Sequence, residues 1–379
     1  MKRYDAAVIG LGAMGSAAAA HLAARGARVI GLDRFAVLHE FGASAGRSRI
    51  IRKAYFEDLA YVPLLERAYE LWYRLEKQTG RTLLKLCGVL VVGGGETDAA
   101  RGVLLASERH GIDVRIMDAP ELRAAYPQIR PLDDEIGIFE AEAGIVFPEE
   151  AIAAHLDAAR ANGATLEGNA RVTGWQPRGS TLAIDIDGTP EYEVNRVVVC
   201  AGPWTPAAFA RLRLPITVQR NVQYWFTPES SAFTPDRFPA FFLDRLGLPA
   251  PLYGFPDLGD GVKTALHGYG LETIADDLNR DVEPWEVGHM REVVDEWMPA
   301  AAGELRSVKA CMYALTPDHH FALGVDPHDD RVVFGAGFSG HGFKFAPVIG
   351  ELLAQLALDG ETVLDIDFLS PARFVEGLP

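Results

Sequence analysis

The chain has 379 residues, 49% of them hydrophobic and 23% charged, and 36 Lys and Arg against 52 Asp and Glu give a formal net charge of −16. That length holds about two domains at roughly 150 residues each, and the composition is that of an ordinary globular protein, which excludes disordered and collagen-like chains. The acidic excess argues against a protein that coats nucleic acid or docks on anionic lipid.

Met1-Lys2-Arg3 leads straight into Ala6-Ala7-Val8-Ile9, a short apolar run that reads as a buried strand, with no leader-type cleavage pattern behind it. Gly10-Leu11-Gly12-Ala13-Met14-Gly15 follows, and then an Ala-rich helix over 16–25 that Gly26 stops. A second strand over 28–32 ends at Asp33. Residues 35–47 read as a loop, 59–79 as a helix with apolar residues at helical spacing, and 83–92 as a strand. A helix over 97–110, a strand over 112–117 and a capping box of Asp118 with Glu121 come next. Residues 136–147 suggest a hairpin pivoting on Gly144, and 149–162 a helix closed by Gly163. Short strands and turns fill 165–199, and Val197-Val198-Val199-Cys200-Ala201-Gly202 is a buried-type strand entering a glycine turn. Proline and aromatic residues then become dense up to Pro256, which points to a second, sheet-rich domain. A strand over 262–267, a helix over 283–297, a strand over 332–334, the turn from Gly335 to Gly342 and a helix over 345–358 complete the pass. No run of about 18 apolar residues offers a membrane span, and the last residues, 376–379, carry no organelle address. Cys87, Cys200 and Cys311 are too few and too scattered for a disulfide framework or a metal site, so we expect a soluble cytoplasmic protein without metal.

The strand, glycine turn, helix, strand and acid at the N-terminus form a complete dinucleotide-binding context. Gly10 serves the tight turn, Gly12 the approach of a pyrophosphate, Gly15 the packing of helix on strand, and Asp33 the ribose hydroxyls. The first helical amides, from Ala13 and Met14 onward, hold phosphate. This motif alone leaves NAD(P) and FAD both open. The later turns, Ala201-Gly202 with Trp204 and Gly335 to Gly342, favour FAD, because three glycine turns spread over the chain suit an extended, two-ended dinucleotide.

Ser48-Arg49-Ile50-Ile51-Arg52, Cys311-Met312-Tyr313 and Gly337-Phe338-Ser339-Gly340-His341-Gly342-Phe343-Lys344-Phe345 resemble the monomeric sarcosine oxidase family, which includes N-methyltryptophan oxidase and pipecolate oxidase. The resemblance spans essentially the whole chain. It implies a flavoprotein oxidase that converts the C–N bond of a secondary or N-methylated amino acid to an imine, reduces O2 to peroxide, and carries FAD on a thioether, here at Cys311. It also implies a monomer. Two segments depart from the pattern of sarcosine oxidases: the loop before Arg49 reads Ala43-Ser44-Ala45-Gly46 without histidines, and Phe241-Phe242-Leu243 carries aromatics where those enzymes offer a thioether. Both point away from sarcosine itself.

The expected fold is a Rossmann-like, discontinuous FAD-binding α/β domain (1–84, 146–215 and 305–379) with an inserted sheet-rich substrate domain (85–145 and 216–304). Arg49 and Arg52, three apart in an extended stretch, point to opposite faces, and the resemblance assigns Arg52 to the substrate carboxylate and Arg49 to the other side of the flavin. Lys344 at a helix start opposes the helix dipole and calls for an anion, for which the substrate carboxylate is the candidate. The resemblance marks Lys263 as the group that stabilises the charge oxygen acquires, with His267 on the same strand face as a catalytic candidate. Tyr253 and Tyr313 are candidate substrate walls. Arg34, Ser44, Ser48, Val172, Met312, Phe338, Gly340, His341 and Gly342 complete the candidate cofactor contacts. Cys87 and Cys200 read as buried and inert. The competing functions are an amine dehydrogenase using another acceptor, a non-catalytic FAD-binding protein and, least favoured, an NAD-dependent dehydrogenase.

Overall fold

The computed structural model describes residues 1–374; the terminal stretch 375–379 lies outside the described residues. Two large sheets and one small one organise the chain. In the eight-stranded sheet the first strand, Lys2–Ile9, lies between Thr189–Val199 and Val29–Leu32 and runs parallel to both. Thr165–Glu167 extends it beyond Val29–Leu32, and Asp329–Ala336 pairs with Val197, Val198 and Val199, again in parallel. These inner strands are buried on both faces, which is why they read as unbroken apolar runs. The helix Ala13–Ala24 is buried almost all round and packs against the helices Pro148–Ala161 and Ala346–Asp359. A Cβ on Gly350 would come within 2.5 Å of Ala17, so that glycine permits the close approach of the last helix to the first.

The nine-stranded sheet runs from Glu272–Thr273 through Thr217–Phe226, Val262–Leu266, Leu252–Phe255, Ala240–Asp244, Val89–Gly94 and Glu135–Glu140 to Arg115–Met117, with Leu305–Leu315 antiparallel to Thr217–Phe226 along its length. Its aromatic residues alternate between faces. Phe241 enters the core behind the sheet with Phe238 and Trp297, and Phe242 goes to the other side with Phe255. A three-stranded sheet, Arg49–Ile51, Gly144–Val146 and Leu84–Lys85, bridges the two large ones.

Three expectations are corrected. The strand over 83–92 is two strands in different sheets, broken at Gly88, whose φ of +80° and position against the Phe139 ring exclude a side chain. The hairpin over 136–147 does not form. Glu135–Glu140 pairs inside the large sheet and Gly144–Val146 inside the small one. Gly144 instead allows close contact, because a Cβ there would lie 2.2 Å from the Lys85 carbonyl oxygen. Cys87 is only half-buried, although burial does push its thiol pKa up. The Asp118–Glu121 capping box forms as expected, at the start of Ala119–Ala125. No helix among the described residues is long and apolar enough to cross a membrane.

Candidate active site

The glycine turn after the first strand opens onto a groove of about 500 Å³. Gly10 (φ +89°) lies so close to the Cys200 carbonyl that a Cβ would be 2.4 Å from it, and a Cβ on Gly15 would be 1.8 Å from the Gly10 carbonyl. Gly12 meets nothing nearer than the Ser44 hydroxyl at 3.8 Å, so its open side faces the groove. The helix behind it has no side-chain N-cap and no acid in its first turn. Its first amides are therefore left for an anion such as a pyrophosphate. Asp33 is buried at 5% exposure; its Oδ2 accepts from Leu11 N at 2.8 Å and its Oδ1 from Phe35 N at 2.9 Å, and His39 Nε2 lies 3.2 Å from Oδ1. A carboxylate has about four acceptor positions, so the amides of Leu11 and Phe35 hold Asp33 against the turn without filling it. Arg34 pairs with Asp276 at 2.8 Å and lies over the Trp204 ring. These features fit an FAD-type ligand: an unfilled helix N-terminus, a buried acid one strand away, and a long groove walled by segments from the whole chain.

The groove brings together Gly10, Gly12, Ala13, Met14, Asp33 and Arg34 with Ser44 and Arg49 from the loop. Val172, Ala201, Gly202 and Trp204 come from the far side, and Met312, Phe338, Gly340 and Gly342 from the late segments. Gly15 lies behind the turn. Ser48, Cys311, His341 and Lys344 do not line the groove. Cys311 is 2% exposed, opposite Asn221 on the neighbouring strand, with Sγ 3.5 Å from the Ala43 carbonyl. Its loop neighbours Gly42 and Ala43 and its strand neighbours Met312 and Tyr313 all line the groove.

Two cations sit beneath the 43–48 loop. Lys263, 1% exposed, donates from Nζ to the carbonyls of Gly46 at 2.7 Å and Ser48 at 2.9 Å, and to Ser48 Oγ at 3.3 Å. Its ammonium faces the Phe255 ring at 4.8 Å and the Trp225 ring at 5.3 Å. Burial, reinforced by the Arg49 charge, holds its pKa well below the usual lysine value. Arg49 donates to the carbonyls of Ser48, Ala43 and Ala45.

Arg49, Tyr313, Gly340 and Phe343 separate the groove from a small cavity of about 60 Å³. Arg52 lines that cavity and not the groove, whereas Arg49 lines both, so the two arginines are only partly divided between the two sides. Arg52 is paired with Glu57 at 2.6 Å and lies over the rings of Tyr55 and Phe56. Burial alone would raise Glu57, but Arg52, His341 and Lys344 bring it down to about 2. Lys344, 5% exposed, donates to the His341 carbonyl at 2.7 Å and sits over Tyr55 at 5.0 Å. Burial pushes its pKa down to about 7. His341 belongs to this cavity. Its Nε2 lies 3.0 Å from the His319 carbonyl, which can only accept, so in the neutral ring Nδ1 takes the Tyr55 proton at 2.6 Å. Burial keeps His341 at about 3 and His267 at about 4, so both stay neutral near pH 7. Tyr313 Oη approaches His267 Nδ1 at 3.3 Å and Tyr253 Oη at 3.5 Å. A wider cavity of about 980 Å³ shares Glu57, His267, Tyr313 and His341 with the small one and leads outward past Asp98, Arg101 and His319.

Sequence reasoning missed Glu57, Tyr55 and Glu149. The first two follow Arg52 in a loop without periodicity, and the third opens a helix as any first-turn acid does.

The chain matches the family described as FAD dependent oxidoreductase over residues 5–356. Its similar relatives include a monomeric sarcosine oxidase of Streptomyces avermitilis, 40% identical over 98% of this chain and 97% of the relative. An N-methyl-L-tryptophan oxidase of Yersinia pestis is 32% identical over 98% and 99%. Among solved structures, NikD, an amino acid oxidase of nikkomycin biosynthesis, superposes with TM-score 0.86 at 24% identity over 98% of both chains. L-proline dehydrogenase from P. horikoshii also gives 0.86, at 22% identity over 99% of both. At that identity these two establish the fold alone.

Proposed function

The chain belongs to the FAD dependent oxidoreductase family, and from that premise we propose that it oxidises the C–N bond of a secondary or N-methylated amino acid. Two electrons and two protons leave the amine, giving the imine, and O2 becomes H2O2; water then hydrolyses the imine. The observation that carries this reading is the wall of Arg49, Tyr313, Gly340 and Phe343, with a dinucleotide groove on one side and a cation-lined cavity on the other. Bound FAD supplies the two-electron chemistry that no side chain can.

Arg52 and Lys344 bind the carboxylate, which competes with Glu57 for Arg52. Tyr253, Tyr313 and His267 wall the amine, and neutral His267 does not repel its proton. Phe242 narrows the cavity where Phe241 cannot reach it. Lys263 holds its proton between two carbonyls and a hydroxyl and meets the negative charge that oxygen acquires, with Arg49 beside it. Cys311 is the tether for the cofactor: it is buried against the Ala43 carbonyl, and its loop and strand neighbours Gly42, Ala43, Met312 and Tyr313 line the groove. His341 acts through Tyr55 and Lys344 rather than on the cofactor. The division into a cofactor unit and a substrate unit is part of the same proposal, with the Leu305–Leu315 strand carrying Cys311 from the nine-stranded sheet up to the groove. A monomer in a reducing, cytoplasmic setting fits three free cysteines and the "monomeric" of the relatives' names.

A peroxide-coupled screen of N-methyl and cyclic amino acids tests this. We expect peroxide in air and bleaching of the yellow colour without it. Bleaching without peroxide in air would make the protein a dehydrogenase, and no bleaching by any of them would overturn the reading.

A further inference from the structure

The 43–48 loop has an unusual construction. The carbonyls of Ala43, Ala45, Gly46 and Ser48 all turn inward onto Arg49 and Lys263. To do so the backbone takes φ of +126° at Gly46 and +66° at Arg47. Gly46 suits this φ, and a Cβ there would press on the Gln223 side-chain end at 2.1 Å. The amides of Gly46 and Arg47 consequently point outward, and both donate to one oxygen, Oε1 of Glu149, at 2.9 and 3.1 Å. Glu149 is fixed in turn in the first turn of Pro148–Ala161, where an acid is favoured. Outside the loop's own covalent geometry, this carboxylate is what meets the two reversed amides.

We propose that Glu149 is a positioning residue for the oxygen step: it locks the loop in the shape that presents the Gly46 and Ser48 carbonyls to the Lys263 ammonium. This rests on the reading that Lys263 serves oxygen. A buried ammonium deprived of those acceptors loses its proton, and a neutral amine cannot meet negative charge on oxygen. The charged and titratable groups facing Lys263 are Arg49, Cys311, Glu149 and Asp260. Of these, only Glu149 acts both by its own charge and through the loop amides.

The test uses flavin-loaded Glu149→Ala, Glu149→Gln and Lys263→Met. Each is photoreduced without any amine and mixed with oxygenated buffer, and acetate affinity is measured in parallel as a report on Arg52 and Lys344. We expect reoxidation to fall by about tenfold or more in Glu149→Ala and less in Glu149→Gln, with acetate affinity within about twofold of wild type. The pH above which reoxidation fails shifts downward in both variants, because the negative charge that helps Lys263 keep its proton is gone. Independently of activity, amide exchange in a peptide spanning 43–49 speeds up in Glu149→Ala. Normal reoxidation in both Glu149 variants, with slow reoxidation in Lys263→Met, overturns the inference and leaves the oxygen role of Lys263 intact. Normal reoxidation in Lys263→Met overturns both. Equal losses of reoxidation and acetate binding in Glu149→Ala mark a general structural role and also overturn the inference.

Discussion

Carboxylate binding should weaken above neutral pH because of one lysine. Lys344 is buried, and its pKa lies at about 7 because burial outweighs the help of the Glu57 charge. The other groups of the cavity with displaced values do not titrate nearby: Glu57 lies at about 2, His341 at about 3 and His267 at about 4. If a carboxylate needs the charged form of Lys344, its dissociation constant scales with the inverse of the protonated fraction. Between pH 6 and pH 8 that fraction falls from roughly nine-tenths to one-tenth, so the constant rises about tenfold. Acetate is the right probe, since it has the carboxylate and no amine to titrate in the opposite sense. Its binding can be followed by the visible spectrum of the loaded enzyme at constant ionic strength. Lys344→Met should bind acetate more weakly at pH 6 and show a flat profile. Equal affinity of the wild type at pH 6 and pH 8, or tighter binding at pH 8, would refute the assignment. With a real substrate the amine must lose its proton as Lys344 keeps its own, so kcat/KM should be bell-shaped.

Gly340→Ala places a methyl 2.3 to 2.7 Å from three ring carbons of Tyr313 at a φ of +79°. The clash and the left-handed backbone together should cost roughly 2 to 4 kcal/mol in urea unfolding and raise KM by displacing Tyr313; unchanged stability and KM would count against the packing described. Cys311→Ser should release its yellow colour into the supernatant on acid precipitation while the wild type keeps it in the pellet, and colour retained in the variant would exclude this tether. Burial holds His155 and His341 at about 3. The unfolded chain takes up these two protons near pH 6.5 and the folded one does not until about pH 3, so stability is lost as pH falls through that window. From pH 7 to pH 5 the two residues should account for a fall of about 3 to 4 kcal/mol, and a urea midpoint that does not move would contradict it.

The cofactor half of the site was legible because its chemistry is local. Gly10, Gly12 and Gly15 act through their own backbone, and Asp33 follows one strand later. Alternation placed Arg49 and Arg52 on opposite faces; the fold puts Arg49 in both the groove and the small cavity and Arg52 in the cavity only. What could not be read depends on pairing between distant segments. Gly144 looked like a hairpin pivot, but its partner is the Lys85 carbonyl in another sheet. Glu57 and Glu149 are ordinary acids until the fold sets one against Arg52 and the other against two reversed amides. The pair Phe241 and Phe242 read as one aromatic patch, yet strand alternation sends only the second toward the cavity.

The parallel sheet also sets a timetable. Lys2–Ile9 has its neighbour Thr189–Val199 almost two hundred residues away, and that strand in turn waits for Asp329–Ala336. The groove is closed by residues as late as Phe343. At ribosomal speeds of about 5 to 20 residues per second, roughly 20 to 70 s separate the first glycine turn from the last wall. A chain still being made can expose the glycine turn, but it has no complete place for a flavin. Cofactor loading thus reports on a finished molecule, and truncated chains lacking the last helix should accumulate colourless.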